Sequence, residues 1–334
     1  MDRDRRALPR GQAPASRARR ERTVNGYCRP RSVSEAVAIL AANSGAMVIA
    51  GGTDLVIDRR LGRADPQAPL VDVTGIDGLR DVHWDGDELH LGATATVREI
   101  ESDPAVIVRA SALAEAARVL GSVQIRNMAT LGGNLCTASP AAEMAPPLMV
   151  HDAVVAIQGP DGERRWAVAD FATGPRTTIL ASGEILTNVR LRTPAHSGSC
   201  YLRQTVRWAM DLAGVGVAAW VLTDGTGREA AVQEARVALG AVAPTAVLVP
   251  GLEALLAGAP PTTERLGAVS AAASAACKPI SDTRGTAEHR RHVAGVLAAR
   301  ALSIAHARAA GLWSGGLAPV NGRESAVASS GARA

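Results

Sequence analysis

The sequence predicts an α+β chain of two or three units, and three observations carry that prediction. At 334 residues, 47% hydrophobic and 20% charged, the chain can bury a large core and exceeds the usual size of one domain. Helical periodicity, apolar runs and glycine-rich turns succeed one another up to about residue 193. After a stretch at 194–198 that combines proline and glycine, an apolar strand series is followed by two alanine-rich helices.

Ser32-Val-Ser-Glu35 reads as a capping box, in which a serine hydroxyl and a glutamate three residues on satisfy backbone donors, and it opens an amphipathic helix to about Ala42. The apolar run 46–50 reads as a strand leading into Gly51-Gly52-Thr53-Asp54. A second strand at 69–73 and a turn at 75–78 complete a small α/β unit over 25–80. From His83 the pattern changes to short alternating strands, with Asp85-Gly86 as a hairpin turn between Val82 and 89–91. Helices are expected near 96–102 and 110–120, followed by the segment 124–134. Ser139 before Pro140 suits an N-cap with proline at the first helical position, so a helix is expected from there to about Val150. Residues 154–158 and 164–168 read as a hairpin through Asp161-Gly162, and a strand at 185–192 closes a second unit over 81–193. A third unit, 199–305, offers strands at about 201–207, 213–222 and 231–239, with helices at 263–277 and 287–309.

Residues 1–24 hold eight arginines against Asp2, Asp4 and Glu21, so they carry +5 of a chain total of +4 and the remainder sums to −1. The basic pI therefore describes a leader, which its Arg, Pro, Ala and Gly content marks as disordered; an arm for nucleic acid or an acidic partner is the other reading. Arg5-Arg6 and Arg19-Arg20 precede polar residues instead of an apolar run, which argues against an export signal. No segment is apolar for long enough to span a bilayer. Cys28, Cys136, Cys200 and Cys277 have neither metal-ligand nor disulfide-framework spacing, and a reducing cytoplasm fits them. With aromatics at 2%, stacking platforms for single-stranded nucleic acid are lacking. The Gly, Ser and Ala content of 310–334 reads as a disordered tail.

Two glycine pairs stand out: Gly51-Gly52-Thr53-Asp54 after a strand, and Thr130-Leu131-Gly132-Gly133-Asn134 before a capped helix. Glycine permits positive φ and removes the Cβ that would hold a phosphate away, while successive N–H groups form an anion-binding nest. Two such loops predict a diphosphate held between them. Either alone reads more readily as an ordinary turn.

Ala50-Gly-Gly-Thr-Asp-Leu55 and Ile125-Arg-Asn-Met-Ala-Thr-Leu-Gly-Gly-Asn-Leu135, with Ser139-Pro-Ala-Ala-Glu143 downstream, resemble the FAD loops of the xanthine dehydrogenase and carbon monoxide dehydrogenase flavoproteins. The resemblance runs from about Tyr27 to about Arg300 and includes Glu184-Ile-Leu-Thr187 and Ser281-Asp-Thr-Arg284. It implies a two-subdomain FAD-binding fold of the vanillyl-alcohol oxidase type followed by an α+β C-terminal domain of the carbon monoxide dehydrogenase flavoprotein type. It further implies that Val48, Ile49, Ala50, Gly51, Gly52, Thr53, Asp54 and Leu55, with Thr130, Leu131, Gly132, Gly133 and Asn134, hold the diphosphate and ribityl chain. Glu143 stands where the family usually has an aspartate near the sugar hydroxyls. Leu120 and Leu186 match positions that approach the flavin ring, with aliphatic packing at Leu120 where the animal enzymes have an aromatic side chain. Arg203 matches a cationic position near the ring, where it would stabilise the reduced flavin anion; as a residue read alone it is equally a surface strand arginine. Arg126 and Asn127 read as supports of the glycine loop.

The same resemblance implies an oxidoreductase subunit that hydroxylates nothing by itself. Its partners would be a small subunit with [2Fe–2S] clusters and a large subunit with molybdopterin, arranged as a dimer of heterotrimers. Electrons would pass from molybdenum through the clusters to FAD and on to an external acceptor. This chain has no cysteine set for a cluster and no catalytic dyad, so no catalytic or metal-ligating residue is assigned. A stand-alone flavin oxidase of the same fold and a cofactor-free scaffold are the rival readings; the first glycine loop lacks the histidine by which such oxidases often tether FAD. Gly214-Val-Gly216-Val-Ala-Ala219 imitates a dinucleotide fingerprint but sits inside an apolar run and reads as a core strand. His289 and His292, among arginines, read as a solvated helix face, and Ser139 as a cap and not a nucleophile.

Overall fold

The computed structural model describes residues 26–207 and 210–319; the expected leader at 1–24 and the tail beyond 319 lie outside the described residues. The first unit is a small parallel sheet in which Leu70–Asp72 lies between Tyr27–Cys28 and Met47–Ile49. Helix Val33–Ala42 covers it. Ser32 Oγ accepts the Glu35 N–H at 3.1 Å, while the Glu35 carboxylate accepts from Arg31 N at 2.9 Å, one residue before the predicted reciprocal partner. Ala36, Val37 and Leu40, at the helical spacing i, i+1, i+4, close on Val71, Val73, Ile76 and Leu79.

The second unit is a five-stranded antiparallel sheet in the order Val82–Asp85, Glu88–Gly92, Ile185–Arg192, Val154–Gly159, Gly162–Ala167. Leu89, Leu91, Val155, Ile157, Val189 and Leu191 alternate along its strands and face one way. Helices Val97–Ser102, Ser111–Val119 and Ala145–Val150 fill that face with Ile100, Leu113 and Leu148.

The expected helix from Pro140 to Val150 is corrected here. Helix Leu131–Thr137 ends on Ala138, left-handed at φ 46°, and the next helix starts only at Ala145. Pro146 and Pro147 explain this, because proline has no N–H to donate back and is tolerated only in a first turn. Ser139 Oγ instead accepts Ala141 N at 3.3 Å in a local turn. The second glycine pair is likewise placed inside helix Leu131–Thr137, not ahead of it.

The third unit is a four-stranded sheet, Ser197–Gln204, Val215–Thr223, Val232–Gly240 and Val247–Leu248 in that order, packed under helices Thr263–Ala276 and Ala287–Ala309. Its first strand starts four residues before the predicted 201. Both faces are buried: Cys200, Leu202, Val217, Ala219 and Val237 meet the helices, whereas Tyr201, Ala218, Trp220 and Ala238 join the core of the second unit. Gly214 to Ala219 accordingly reads as a continuous apolar run because it enters a doubly covered strand. His289 and His292 are exposed. Residues 312–319, expected to be tail, pack back instead: Ala318 is buried and its N–H donates to Glu115 Oε1 at 2.6 Å. No helix among the described residues is long and apolar enough to cross a membrane.

Alternate residues of the strand Ser197–Gln204 bind this sheet to the second unit. Glu115, with no solvent exposure, accepts from Tyr201 N at 2.7 Å and from Arg308 at 2.7 Å. Ser199 Oγ accepts Ala112 N at 3.1 Å and lies 3.1 Å from His151 Nε2, whose Nδ1 is 3.2 Å from the Arg192 carbonyl. Burial pushes the His151 imidazole down to about 4, so the ring is neutral at physiological pH. A carbonyl only accepts, which puts the proton on Nδ1 and leaves Nε2 to accept the Ser199 hydroxyl.

The unfolded chain protonates His151 near 6.5 and the folded chain only near 4, so the stability this gives is complete above 6.5 and is lost as pH falls toward 4. Between about pH 7 and pH 5 the loss amounts to about 2 kcal/mol. Urea unfolding of wild type and His151→Asn at both pH values checks this: the variant's pH dependence should be smaller by about that amount.

Candidate functional site

The first and second units meet along a cleft of about 600 Å³, within the range of about 300–1,000 Å³ usual for small-molecule and cofactor sites. The segment from Val48 to Leu55 forms one wall, and Leu120, Thr130, Gly132, Gly133, Asn134, Glu143 and Leu186 contribute to the other. Two predicted residues do not line it. Leu131 is fully buried in the core of the second unit, and Arg203 stands behind Glu143.

The two walls touch through backbone. A Cβ built on Gly51 would lie 1.9 Å from the Met128 carbonyl oxygen and 3.1 Å from Ala129 Cα, so only glycine permits the approach. Gly52 takes φ +70°, a left-handed conformation that turns the chain from strand Met47–Ile49 toward helix Leu55–Arg60. The N–H groups of Gly51, Gly52, Thr53 and Asp54 have no backbone partner among the described residues. The first loop thus keeps these backbone donors unengaged, at the place where the sequence predicts an anion-binding nest.

The second pair is built differently. Leu131 N donates to Ala95 O at 3.0 Å, Gly132 N to Ala93 O at 2.8 Å and Gly133 N to Thr130 Oγ1 at 3.1 Å, so these amides are already engaged. A Cβ on Gly132 would fall 2.8 Å from Ala93 O. Here glycine serves close packing against the sheet and leaves no free nest. Arg126 supports the neighbouring turn more than the glycines: its guanidinium pairs with Glu101 at 2.8 Å and donates to the Leu120 carbonyl at 3.1 Å, while Asn127 is exposed.

Among the described residues, no lysine or arginine lines the cleft, although Asp54, Asp58, Glu143, Glu184 and Asp211 do. Arginines compensate four of these carboxylates from outside the lining. Asp58 pairs with Arg176 and Arg63, Glu184 with Arg164 at 2.7 Å, Asp211 with Arg207 at 3.7 Å, and Glu143 with Arg203. The bond from Arg164 holds Glu184 below the usual carboxylate range. Arg203 is 2% exposed, which excludes the surface-arginine reading; it also donates to the Asp211 carbonyl at 3.3 Å. Burial pushes the Glu143 carboxyl up to about 7, with the Arg203 and Arg126 guanidiniums pulling the other way.

Several lining residues were not predicted. Thr94 carries a buried hydroxyl with no partner, and nothing in its sequence neighbourhood marks it. Asp58 lies four residues after Asp54, a helical spacing that follows from the turn ending the glycine loop. Gly121, at φ +53°, and Ser122 extend the wall at Leu120, and their glycine-serine pair is a turn signal.

Two lobes facing each other over a glycine-lined cleft, with a third domain behind one wall, define a carrier of an extended, phosphate-bearing cofactor. Residues 20–194 match the FAD binding domain in molybdopterin dehydrogenase, and residues 200–305 match the CO dehydrogenase flavoprotein C-terminal domain. The carbon monoxide dehydrogenase medium chain of Hydrogenophaga pseudoflava is 33% identical over 285 residues, covering 85% of this chain and 98% of that one. The putative xanthine dehydrogenase FAD-binding subunit of Escherichia coli is 31% identical over 288 residues, covering 85% and 97%. In solved structures, the fold matches carbon monoxide dehydrogenase from Hydrogenophaga pseudoflava with a TM-score of 0.80 at 33% identity, over 85% of this chain and 98% of that one. The chain belongs to the FAD-binding medium-subunit family of the molybdenum hydroxylases, a family of oxidoreductase flavoproteins.

Two substitutions test how this site is built. Gly51→Ala forces a Cβ into the Met128 carbonyl and should destabilise the protein by about 3 kcal/mol or more, whereas Gly267→Ala, in open space on helix Thr263–Ala276, should stabilise it by up to about 1 kcal/mol. Equal melting temperatures for the two variants would contradict the backbone contact. Arg203→Met strands the Glu143 carboxylate and should cost about 3–5 kcal/mol, most of it recovered when Glu143→Leu is added. Removing the cation raises the Glu143 carboxyl further, so the folded protein binds a proton that the unfolded chain has released. The loss in Arg203→Met is therefore greater at about pH 8 than at about pH 6, as denaturant titration at both will show.

Proposed function

We propose that this chain carries FAD as the electron-transfer subunit of a multi-subunit molybdenum hydroxylase. In that assembly, [2Fe–2S] clusters of a small partner subunit deliver electrons that originate at the molybdopterin centre of a large one, and an external acceptor takes them from the flavin. The observation that carries this reading is the cleft, whose unpartnered amides at Gly51 to Asp54 face glycine-lined packing at Gly132-Gly133.

The residues present fit the cofactor. The N–H groups of Gly51 to Asp54 have no backbone partner among the described residues, and the orphaned Thr94 hydroxyl on the same lining is a buried polar group lacking a partner. With no lysine or arginine in the lining, the N–H groups of Gly51 to Asp54 would bind the diphosphate, and the Thr53 and Thr130 side chains would flank it. Asn134 would bind and orient the ribityl chain. Leu120 and Leu186 would form aliphatic walls against the ring and exclude water, and Glu143 would accept from sugar hydroxyls while Arg203 holds it in place. Bound FAD supplies the redox chemistry; the protein places the ring and sets its electrostatic surroundings.

In this reading, residues 25–80 and 81–193 form the two FAD-binding subdomains and 199–305 the C-terminal domain that closes the Glu143 side. A cytoplasmic dimer of heterotrimers completes it. Purified chain mixed with FAD should retain flavin through gel filtration, quench its fluorescence and gain about 2.7 kcal/mol of stability at a hundredfold excess over Kd. Colourless, unstabilised protein would falsify the reading. Isolation from the native cell should bring two further subunits with molybdenum and iron, and a flavoprotein reduced directly by a small alcohol or amine would replace it with the stand-alone oxidase.

A further inference from the structure

We infer that Arg176 and Asp58 form a clasp across the mouth of the cleft that sets the distance between the two glycine loops and so controls how fast the cofactor leaves. The inference rests on the FAD reading above and adds two residues to it. Asp58 belongs to helix Leu55–Arg60, which begins directly after the first loop, and it lines the cleft. Arg176 belongs to the turn between the short strands Ala172–Gly174 and Thr177–Thr178 of the second unit. Their side chains pair across 118 residues of sequence.

Both ends of the clasp are anchored to the loops themselves. Arg176 N donates to the Ala138 carbonyl at 2.9 Å, and Ala138 is the residue on which the helix bearing Gly132 and Gly133 ends. A second, shorter tie runs alongside, where Thr137 Oγ1 lies 3.3 Å from Asp54 Oδ2 and 2.9 Å from the Gly133 carbonyl. The helix that follows the first glycine loop is thus fastened to the helix that carries the second glycine pair.

Two features separate this pair from an ordinary surface ion pair. First, the Asp58 side chain is only 10% exposed and holds Arg63 at 3.7 Å as well, so the carboxylate is withdrawn from water and depends on its cations. Secondly, Arg176 at φ 63° and Ala138 at φ 46° both occupy the left-handed region that L-residues avoid, and they are joined to each other by that one backbone hydrogen bond. Paired non-glycine residues held this way need surrounding contacts to keep them there, and such strain gathers at ligand clamps. The Arg176 side chain is 53% exposed, which leaves it free to release and re-form the pair without unfolding the hairpin.

Arg176 and Asp58 are positioning residues: they act on the cofactor through the loops. The test measures FAD release from the full-length holoprotein after dilution into an excess of an apoprotein that binds FAD tightly, together with the melting temperature of the FAD-free chain. Arg176→Gln and Asp58→Asn should each speed release about fivefold, the size expected for a partly buried pair, while Arg176→Lys stays near wild type. The double variant should release no faster than either single one, because both remove the same interaction. Release at the wild-type rate in Arg176→Gln, or full additivity in the double variant, would overturn the clasp and leave the FAD reading standing. Wild-type chain that takes up no FAD would overturn both. If Asp58→Asn does not fold, Arg176→Gln and Arg176→Lys decide the matter alone, since rescue by lysine separates a charge clasp from a packing effect.

Discussion

The structure depends on one contact in which no side chain takes part. Where Gly51 meets the carbonyl of Met128, two lobes approach to a distance that a single methyl group would prevent. That approach brings the first glycine loop against the start of helix Leu131–Thr137 and makes one cleft out of two separate folding units. It also leaves the loop amides from Gly51 to Asp54 without a backbone partner among the described residues. Amides free of backbone partners at the edge of a cleft are donors that water or a bound ligand can take up, which is what the proposed diphosphate site requires.

Charge in the cleft follows from the same geometry. A diphosphate is strongly anionic, yet among the described residues the lining carries carboxylates and no lysine or arginine. The apparent conflict resolves one shell outward, where Arg164, Arg176, Arg203 and Arg207 neutralise Glu184, Asp58, Glu143 and Asp211. Arg203 is the most consequential of these because it comes from the third unit and pairs with a carboxylate of the second. The strand Ser197–Gln204 directs Ser199, Tyr201 and Arg203 toward the second unit, and each takes a hydrogen bond there, to His151, Glu115 and Glu143 respectively. The third unit also contributes Met210, Asp211 and Leu212 to the cleft lining, and its removal would leave Glu143 as a buried carboxylate without its cation.

Much of this was legible in the sequence wherever local chemistry decides structure. Ser32 and Glu35 marked a helix start, Asp85-Gly86 a hairpin, and the alternation from Ile185 to Arg192 a strand whose bounds the structure reproduces. The glycine pairs marked the cleft. What the sequence hid is what depends on partners distant along the chain. Ser139-Pro140 has the local signature of a helix start, but Pro146 and Pro147 move that start to Ala145. Residues 312–319 have the composition of a tail and are held by Glu115, about two hundred residues away. Arg203 looks like any strand arginine until Glu143 is seen beside it. Thr94 and Asp58 carry no motif, because a residue that merely faces a cleft needs no special sequence to do so.

The two glycine pairs looked equivalent in sequence, and their difference in structure says how a diphosphate could be held without lysine or arginine. A nest binds through N–H groups that nothing else satisfies, and only the first pair has them. The second pair has given its amides to the Ala93 carbonyl and the Thr130 hydroxyl, and in return it lies flat against the sheet of the second unit. In the proposed site one loop would bind, and the other fixes where the opposite wall stands. Affinity in such a site is set by the distance between the walls as much as by the donors on either one, because hydrogen bonds weaken steeply once donor and acceptor separate beyond about 3.2 Å. The features that fix that distance are the missing Cβ at Gly51, the missing Cβ at Gly132 and the ties between the helices behind the loops. The cleft thus treats position as the scarce quantity and charge as the adjustable one.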